Sequence, residues 1–557
     1  MRYFSGQIED DYGFSKLNFV YKLESWNENK KTPLAVSSLF SFSNFYHFFD
    51  LSSLDIEPGS VVDYYFEVWD NDQINGPKSS KTQMQTYKAP TEAELNTLAK
   101  ENSNNFKAEL NNSISQAKEL KLELEKIKND LLNKKNPDWE DKNKLENFLI
   151  KQKEFEEKIS QVINQNKSNS LEQNQFNEKS KEVIEKTELL NKLFDQLMNE
   201  EMKKLYDELQ KLLDQMDKNK LLDKMQDMEL NQEDLLKELD RSLEQYKQLE
   251  FEQSFDKITE SLKELAKEQS SLSEETKKKK ENNFQLNKKE EQIKEKFNSI
   301  KENIDDLEKL NNELEYKNNM PNLEEKENQV LDDINKSMED LEKNNNKKSS
   351  TSQKNAAEKM EKMAAEMESS QMEMQSQSIE LDIKALRQLL ENLVQFSFDQ
   401  ESIIKELKNL NSRDPKYVKL GQQQQKLQED VKVIEDSLFA LSKRVPLLGP
   451  HVNHEILSIK SHLDKSIKNI TERKTAIATA NQQYVMTSVN NLALILDDVQ
   501  KQMQNSMPGS GQCNKPGGNS KKPSPDMKKM MEDMKKQLEQ MKDLLNKGEK
   551  VKGVPMD

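Results

Sequence analysis

The amino-acid sequence predicts a mainly α-helical protein, with a small N-terminal β-sandwich followed by long coiled-coil helices and a C-terminal helical bundle. Only 33% of the 557 residues are hydrophobic and the mean hydropathy is −1.00, so one globule cannot bury most of the chain. Glycine, which long helices exclude and disordered chains favour, is absent between Gly76 and Gly421. Of 36 aromatic residues, 18 precede residue 91, which indicates a separate sheet-forming module.

Residues 1–90 alternate apolar and polar side chains with the period of two that half-buried strands show. Turn residues such as Gly13 and Gly59 separate the runs. The pattern predicts an antiparallel β-sandwich of five or six strands, at residues 3–9, 14–23, 44–51, 61–70 and 80–87.

Four aspartates of this module, Asp10, Asp11, Asp70 and Asp72, raise the alternative of a calcium site, since hard cations take carboxylate oxygens. The EF-hand spacing fails, and we favour the interpretation that these residues form turns. His47 has no second histidine nearby and is interpreted as an ordinary strand residue.

Residues 91–350 are predicted to form coiled-coil helices or helical hairpins. Thr91 can cap the first helix, and Pro137 restarts a helix. The 3.5-residue period of a left-handed coiled coil appears in two runs. They are Phe255, Ile258, Leu262, Leu265, Gln269 and Leu272, and Ile293, Phe297, Ile300, Ile304, Leu307, Asn311 and Leu314.

The details of this region leave alternatives open. Asn311 either sets the register of the seam or marks a frayed place. Breaks are expected at residues 164–170, at Pro321 and at residues 344–352, and the pattern does not distinguish pairing within one chain from pairing between chains.

The lysine run 277–280 has two interpretations. It could contact an anionic surface, either phospholipid head groups or nucleic acid. Because Glu274, Glu275 and Glu281 flank it, a solvated helix face is favoured. The net charge of −16 argues against a broad nucleic-acid interface.

The C-terminal part divides into a Met-rich linker helix at 351–378, a helical bundle at 379–507, a disordered linker at 508–525 and a Met-rich helix and tail at 526–557. Three bundle helices are predicted, at 381–410, 418–442 and 453–507. The Met-rich stretches have three interpretations: helix filler, an adaptable partner surface, or a Cu(I) site. Filler or weak partner contact is favoured, because no His or Cys accompanies either stretch. Their residues are Met360, Met363, Met367, Met372 and Met374, and Met527, Met530, Met531, Met534, Leu538 and Met541.

No catalytic, cofactor or metal site is predicted. His451, His454 and His462 could be arranged as a metal pair, but structural roles are favoured. The lone Cys513 excludes an intramolecular disulfide framework. Nucleotide-binding, serine-hydrolase and zinc-protease motifs are missing from the sequence, so an enzyme is not predicted.

Two stretches of the N-terminal module carry resemblances. Residues 53–72 resemble the E–F corner and F strand of immunoglobulin-like and fibronectin-III-like modules. The usual tyrosine of that corner would sit near Val62, whereas here the tyrosines are Tyr64 and Tyr65. A seven-stranded module needs one or two further strands upstream, so we expect this chain to be a fragment of something longer.

The motifs D-D-Y-G-F-S-K-L-N-F-V-Y (Asp10 to Tyr21) and P-G-S-V-V-D-Y-Y-F-E-V-W-D-N-D-x-x-N-G-P-K (Pro58 to Lys78) suggest a family. The chain resembles a bacterial domain-of-unknown-function family of large membrane-anchored proteins, in which membrane helices precede an Ig-like module and a long coiled-coil region. The resemblance implies a cell-envelope setting, an N-terminal membrane anchor missing from this chain, and a helical region outside the cytoplasm. That family offers no catalytic residues to carry over.

From these observations we expect a non-enzymatic scaffold of the bacterial cell envelope that binds proteins through its helices and forms a homo-oligomer. The alternative is a chaperone- or adaptor-like protein that binds partners with Met-rich helical faces. No cofactor and no nucleic-acid partner is expected.

Overall fold

The computed structural model describes residues 2–36, 41–51, 54, 56, 58–72, 74, 76–174, 181–196, 200–215, 217–279, 282–411 and 414–506. The chain forms two compact units. The first contains Met1–Leu110 and Ile159–Lys179, and the second contains Asn111–Lys158 and Ser180–Asp557.

The predicted β-sandwich is confirmed by two antiparallel sheets in the first unit. β1 pairs with β4, and the other sheet has the order β3-β2-β5-β6, with β7 also pairing with β5. Aromatic rings from both sheets form the core. The ring centroid of Phe19 in β2 lies 4.7 Å from that of Phe49 in β4 and 5.8 Å from that of Phe4 in β1. The strands are β1 (Arg2–Glu9), β2 (Phe14–Leu23), β3 (Lys30–Leu34), β4 (Phe42–Phe49), β5 (Val61–Asp70), β6 (Ser79–Lys81) and β7 (Gln85–Lys88).

Two strand predictions need correction. β3 was missed because its sequence, KKTPL, is polar and contains Pro33, which a sheet tolerates at an edge. β3 indeed pairs with β2 alone among the described strands. The single strand predicted at 80–87 is two short strands, β6 and β7.

The described residues contain eleven helices. They are α1 (Glu92–Asn133), α2 (Trp139–Asn174), α3 (Lys181–Gln196), α4 (Glu200–Gln215), α5 (Lys218–Lys278), α6 (Asn283–Glu313), α7 (Glu324–Glu342), α8 (Asn346–Asn409), α9 (Lys416–Ser442), α10 (Pro450–Thr471) and α11 (Thr475–Ser506).

The helix starts follow the capping residues. Thr91 and Glu94 form the reciprocal pair of a capping box, with Thr91 N donating to Glu94 Oε2 at 2.8 Å. Asp138, directly after Pro137, accepts from the backbone N of Asp141 at 3.0 Å and so caps α2.

Two predicted helix boundaries are wrong. α2 continues through residues 164–170, because asparagine disfavours a helix interior only weakly. The helix predicted at 453–507 is interrupted between α10 and α11. There Arg473 adopts a left-handed φ of 58°, a helix-ending conformation usually taken by glycine.

Long helices organise the second unit into two four-helix bundles. The first bundle contains residues 251–278 of α5, α6, α7 and residues 346–374 of α8. The second bundle contains residues 379–409 of α8, α9, α10 and α11. α8 runs through both without interruption, and none of its residues between Met367 and Asp382 is fully buried.

The first bundle settles how the predicted seams pair. All the apolar residues of the two predicted runs belong to its core, so both seams meet within this chain. Asn311 has neither predicted role: its side chain bonds both the N and the O of Asn318, at 2.7 and 2.8 Å, and holds the loop after α6. No helix within the described ranges is both long and apolar enough to cross a bilayer.

Candidate functional site

The strongest cluster of charged side chains lies where α5 meets α9 and α10. Asp234, Glu238 and Arg241 occupy one face of α5 at spacings of four and three residues. Arg241 is 1% exposed, and its guanidinium pairs with Glu238 and donates to the carbonyl O of Leu448 at 3.3 Å. Asn453 of α10 donates to the other oxygen of Glu238. We give the name joint to this cluster together with the ion pairs around it. The residues of those pairs are Glu233, Lys237, Asp240, Glu315, Asp382, Glu435, Lys443, Arg444 and Lys460.

Two lysines of the joint connect α5, α9 and α10. Lys237 of α5 and Lys460 of α10 both bind Glu435 of α9, with 3.0 Å between Lys460 Nζ and Glu435 Oε1. The same two lysines reach Glu233 at 3.1 and 3.3 Å. One carboxylate pair is therefore shared by two ammonium groups from different helices.

The joint continues to the end of the first bundle. Lys443, just after α9, pairs with Asp240 of α5 at 2.7 Å and with Glu315 of the α6–α7 loop at 2.6 Å. Arg444 pairs with Asp382 of α8 at 2.8 Å and lies 4.3 Å from the ring centroid of Tyr316. These contacts connect the loop that closes the first bundle to the start of the second.

Burial governs the titration of the joint. It raises the pKa of Asp234 to about 6 and that of Glu238 to about 7, although the charge of Arg241 acts in the opposite direction on both. Burial alone would lower the pKa of Lys237, but the carboxylates of Glu435 and Glu233 outweigh it and the pKa is raised.

Carboxyl groups whose pKa values are raised towards neutrality are typical of acid–base catalysis. The cavity beside them, however, has a volume of about 20 Å³, which is room for one water. The geometry therefore suits a closed structural contact between helices better than a site for an organic substrate.

A second polar cluster lies inside the first bundle. Glu290 of α6 accepts hydrogen bonds from the side chain of Gln269 of α5, at 2.9 and 3.1 Å, and from Gln353 of α8 at 3.0 Å. Ser337 of α7 also bonds to it. Glu290 is completely buried, and this burial raises its pKa to about 7.

The second bundle contains a neutral counterpart. Gln400 of α8 and Gln424 of α9 exchange hydrogen bonds at 3.0 and 2.7 Å. Gln482 of α11 donates to Gln424 at 2.6 Å. All three side chains are buried, so a glutamine layer joins three helices.

The residues that the sequence singled out lie mostly outside these clusters. Met360, Met363 and Met367 are at most 1% exposed and belong to the core of the first bundle, so their interpretation as a partner surface is wrong. Met372 is 66% exposed and Met374 packs partly on that core. Cys513 and the predicted segments 508–525 and 526–557 lie outside the described residues.

The candidate metal ligands have other partners. Asp10 accepts from the backbone N of Gly13 at 3.0 Å, and Asp70 from that of Lys78 at 2.8 Å, as turn-forming aspartates do. Asp72 similarly accepts from Ile74 N at 2.9 Å. No group of three or more His, Cys, Asp or Glu in the described part of the chain is arranged to hold a metal.

Two histidines, His47 and His462, pack against other side chains, and the side chain of His451 is not among those that the structure describes. His47 packs 4.4 Å from the ring of Phe19, and burial lowers its pKa. His462 bonds Asn481 at 2.9 Å and stacks on Tyr484. His454 is exposed and lies away from these contacts in the first turns of α10.

One sequence signal could have located the Glu290 cluster. Stepping back from Ile293 by three residues and then by four continues the coiled-coil register to Glu290 and Leu286. A carboxyl group at a seam position predicts a buried polar layer. The joint has no comparable signal, because its charges look like an ordinary solvated helix face.

Comparison with family models, with curated proteins and with solved structures gives no match for this chain.

Proposed function

We propose that this protein is a non-enzymatic structural scaffold of a bacterial cell envelope, which holds partner proteins through helix–helix contacts. The observation that carries the proposal is the use of two long helices as continuous supports. α5 has 61 residues and α8 has 64. At about 1.5 Å per residue, each spans roughly 90 to 95 Å.

The joint supports a scaffold because it restrains the two bundles with many short-range pairs. Lys443 and Arg444, just after α9, form ion pairs with Asp240 of α5, with Glu315 of the α6–α7 loop and with Asp382 of α8. Asp382 is the buried partner among them, and separating it from Arg444 would leave an uncompensated charge inside the protein.

The envelope setting and an N-terminal membrane anchor rest on the family resemblance alone. Self-association remains part of the proposal, since exposed helix faces carry isolated apolar residues such as Leu381, Val418 and Val433. An adaptor that binds with Met-rich faces would now depend on segment 526–557, because the core of the first bundle takes up Met360, Met363 and Met367.

A cross-linking experiment in bacterial cells tests the scaffold role. The full chain and the variant Glu238→Gln/Arg241→Met are compared for the proteins that each captures through exposed lysines. Replacing a buried ion pair by groups of similar volume usually preserves the fold. We therefore expect the same partners from both proteins.

A second measurement separates the scaffold from an enzyme. The purified wild-type chain is screened for hydrolysis and isomerisation of small substrates. Turnover that disappears in the variant Glu238→Gln, or the absence of any protein partner in the cross-linking experiment, would contradict the scaffold.

A further inference from the structure

One end of the first bundle brings two groups of lysines together. The α5–α6 turn and the α7–α8 turn lie side by side there, because Asn283 Nδ2 donates to Leu341 O at 3.0 Å and to Asn344 Oδ1 at 2.9 Å. Asn346 returns a bond to Asn283 at 2.8 Å. Two lysine groups more than sixty residues apart in sequence thereby share one surface.

We call this surface the basic tip. Its lysines are all exposed, and they are Lys277, Lys278, Lys279, Lys343, Lys347 and Lys348. Lys278 pairs with Glu274 at 2.7 Å and Lys343 with Glu339 at 3.3 Å. The other four lysines have no ion pair among the residues that the structure describes. Four exposed lysines outside any ion pair with the described residues therefore lie at the tip, beside the exposed Glu342, in a chain whose net charge is −16.

Helix stability explains only part of this arrangement. Lys277 and Lys278 are in the last turn of α5, where the helix dipole favours a cation. Lys347 and Lys348 are in the first turn of α8, where the dipole disfavours one. Their position therefore opposes local stability and calls for another cause.

An exposed aromatic residue accompanies the lysines. Phe284, in the first turn of α6 next to Asn283, is 80% exposed. A ring of this kind beside lysines is typical of a surface that enters the interface of a bilayer, where the ring sits among the headgroups and the ammonium groups meet lipid phosphates.

We propose that the basic tip docks on an anionic phospholipid membrane, with Phe284 entering the interface. A nucleic acid fits less well, because Phe284 adds an exposed apolar group that a phosphate backbone does not require. This inference goes beyond the scaffold role, since partner capture and lipid binding can fail separately.

Co-sedimentation of the full chain with vesicles tests the proposal. Vesicles of phosphatidylcholine are compared with vesicles in which about three parts in ten are phosphatidylglycerol. We expect binding to the anionic vesicles only, with an affinity that falls as salt is added.

Variants then locate the binding surface. Each lysine near an anionic membrane contributes roughly a fivefold factor in affinity, so Lys347→Gln/Lys348→Gln should weaken binding about 30-fold. Phe284→Ser, made as a separate variant, should also weaken binding to the anionic vesicles. The matched control Lys419→Gln/Lys426→Gln removes two exposed lysines of α9 and should leave binding unchanged.

Three results with vesicles would overturn the proposal. They are binding that is equal on neutral and anionic vesicles, binding that survives in both tip variants, and no binding by the wild type. Tighter binding to duplex DNA than to anionic vesicles, lost in Lys347→Gln/Lys348→Gln, would also overturn it and assign the tip to nucleic acid. Circular dichroism of each variant checks that the helices are intact.

Discussion

The buried polar layer of the first bundle is built around a carboxyl group, whereas that of the second bundle is built from amides. Glu290 receives hydrogen bonds from Gln269 and Gln353, and the glutamine layer of Gln400, Gln424 and Gln482 bonds only to itself. Both arrangements fix which helix turns face each other, because the folded protein loses stability when a buried polar group is separated from its hydrogen-bond partner. Of these two layers only the one around Glu290 contains an ionisable group, so the two layers differ in their expected response to pH.

The largest expected effect concerns the apolar core around these layers. Met363→Ala removes a fully buried side chain from the first bundle and should lower the free energy of unfolding by about 2–5 kcal/mol. The control Met372→Ala changes an exposed residue of the same helix and should stay within about 0.5 kcal/mol. Urea unfolding followed by circular dichroism measures both, and equal effects would show that Met363 is not a core residue.

The next effect comes from Glu290. Its pKa is about 7 in the folded protein and near 4.5 in the unfolded chain, so the folded state retains a proton that the unfolded state releases. The contribution of Glu290 to stability should therefore fall as pH rises from about 4.5 to 7, by roughly 3 kcal/mol, and should then level off.

The variant Glu290→Gln isolates this contribution from that of Asp234 and Glu238 in the joint. Its stability should exceed that of the wild type at pH 8 and approach it at pH 4.5, when both are measured by urea unfolding. Glu291→Gln, an exposed neighbour, is the matched control. A difference that is the same at both pH values would show that Glu290 does not titrate as its burial indicates.

The glutamine layer should give a smaller effect without pH dependence. Gln424→Leu leaves the buried amides of Gln400 and Gln482 without their partner. It should lower the free energy of unfolding by about 1–3 kcal/mol. Gln425→Leu, on the exposed side of α9, should cost far less. If the loss of stability in Gln424→Leu changes between pH 4.5 and 8, ionisation does not distinguish the glutamine layer from the layer around Glu290.

The smallest effect concerns the ends of helices. Lys279 ends α5 with a φ of 53°, a conformation that costs a non-glycine residue about 1 kcal/mol or slightly more. Lys279→Gly should therefore raise the thermal midpoint slightly. Lys277→Gly, inside the last turn of α5, should lower it, and two changes of the same sign would contradict the assignment of Lys279 as the cap.

Local patterns predicted the elements of this fold well where one physical rule dominates. The heptads of α5 and α6 predict which face is buried, and the structure buries it. The alternation in β5 is followed by the buried Val62 and Tyr64 and the half-buried Phe66 and Val68, although Glu67 of the opposite face is buried as well. Asn-rich residues 164–170 were misleading because a weak propensity yields to packing, as the burial of Ile163 and Asn166 illustrates. The break at Arg473 carries no glycine or proline and so gave no signal.

The charged sites were harder to predict for a physical reason. Asp234, Glu238 and Arg241 have the composition of a solvated helix face, and only the approach of α9 and α10 removes their water. The basic tip likewise depends on two turns that meet through Asn283. Tertiary proximity of this kind is not encoded in any short window of sequence.

The continuity of α8 also ties the rotational phase of one bundle to that of the other. Each residue of an α-helix turns the chain by about 100°, so the faces that residues 346–367 and 382–407 present are locked together by the number of residues between them. A single insertion in the exposed stretch between Met367 and Asp382 would rotate one core away from its neighbours. An insertion of seven residues would nearly restore the alignment and lengthen the rod by about 10 Å.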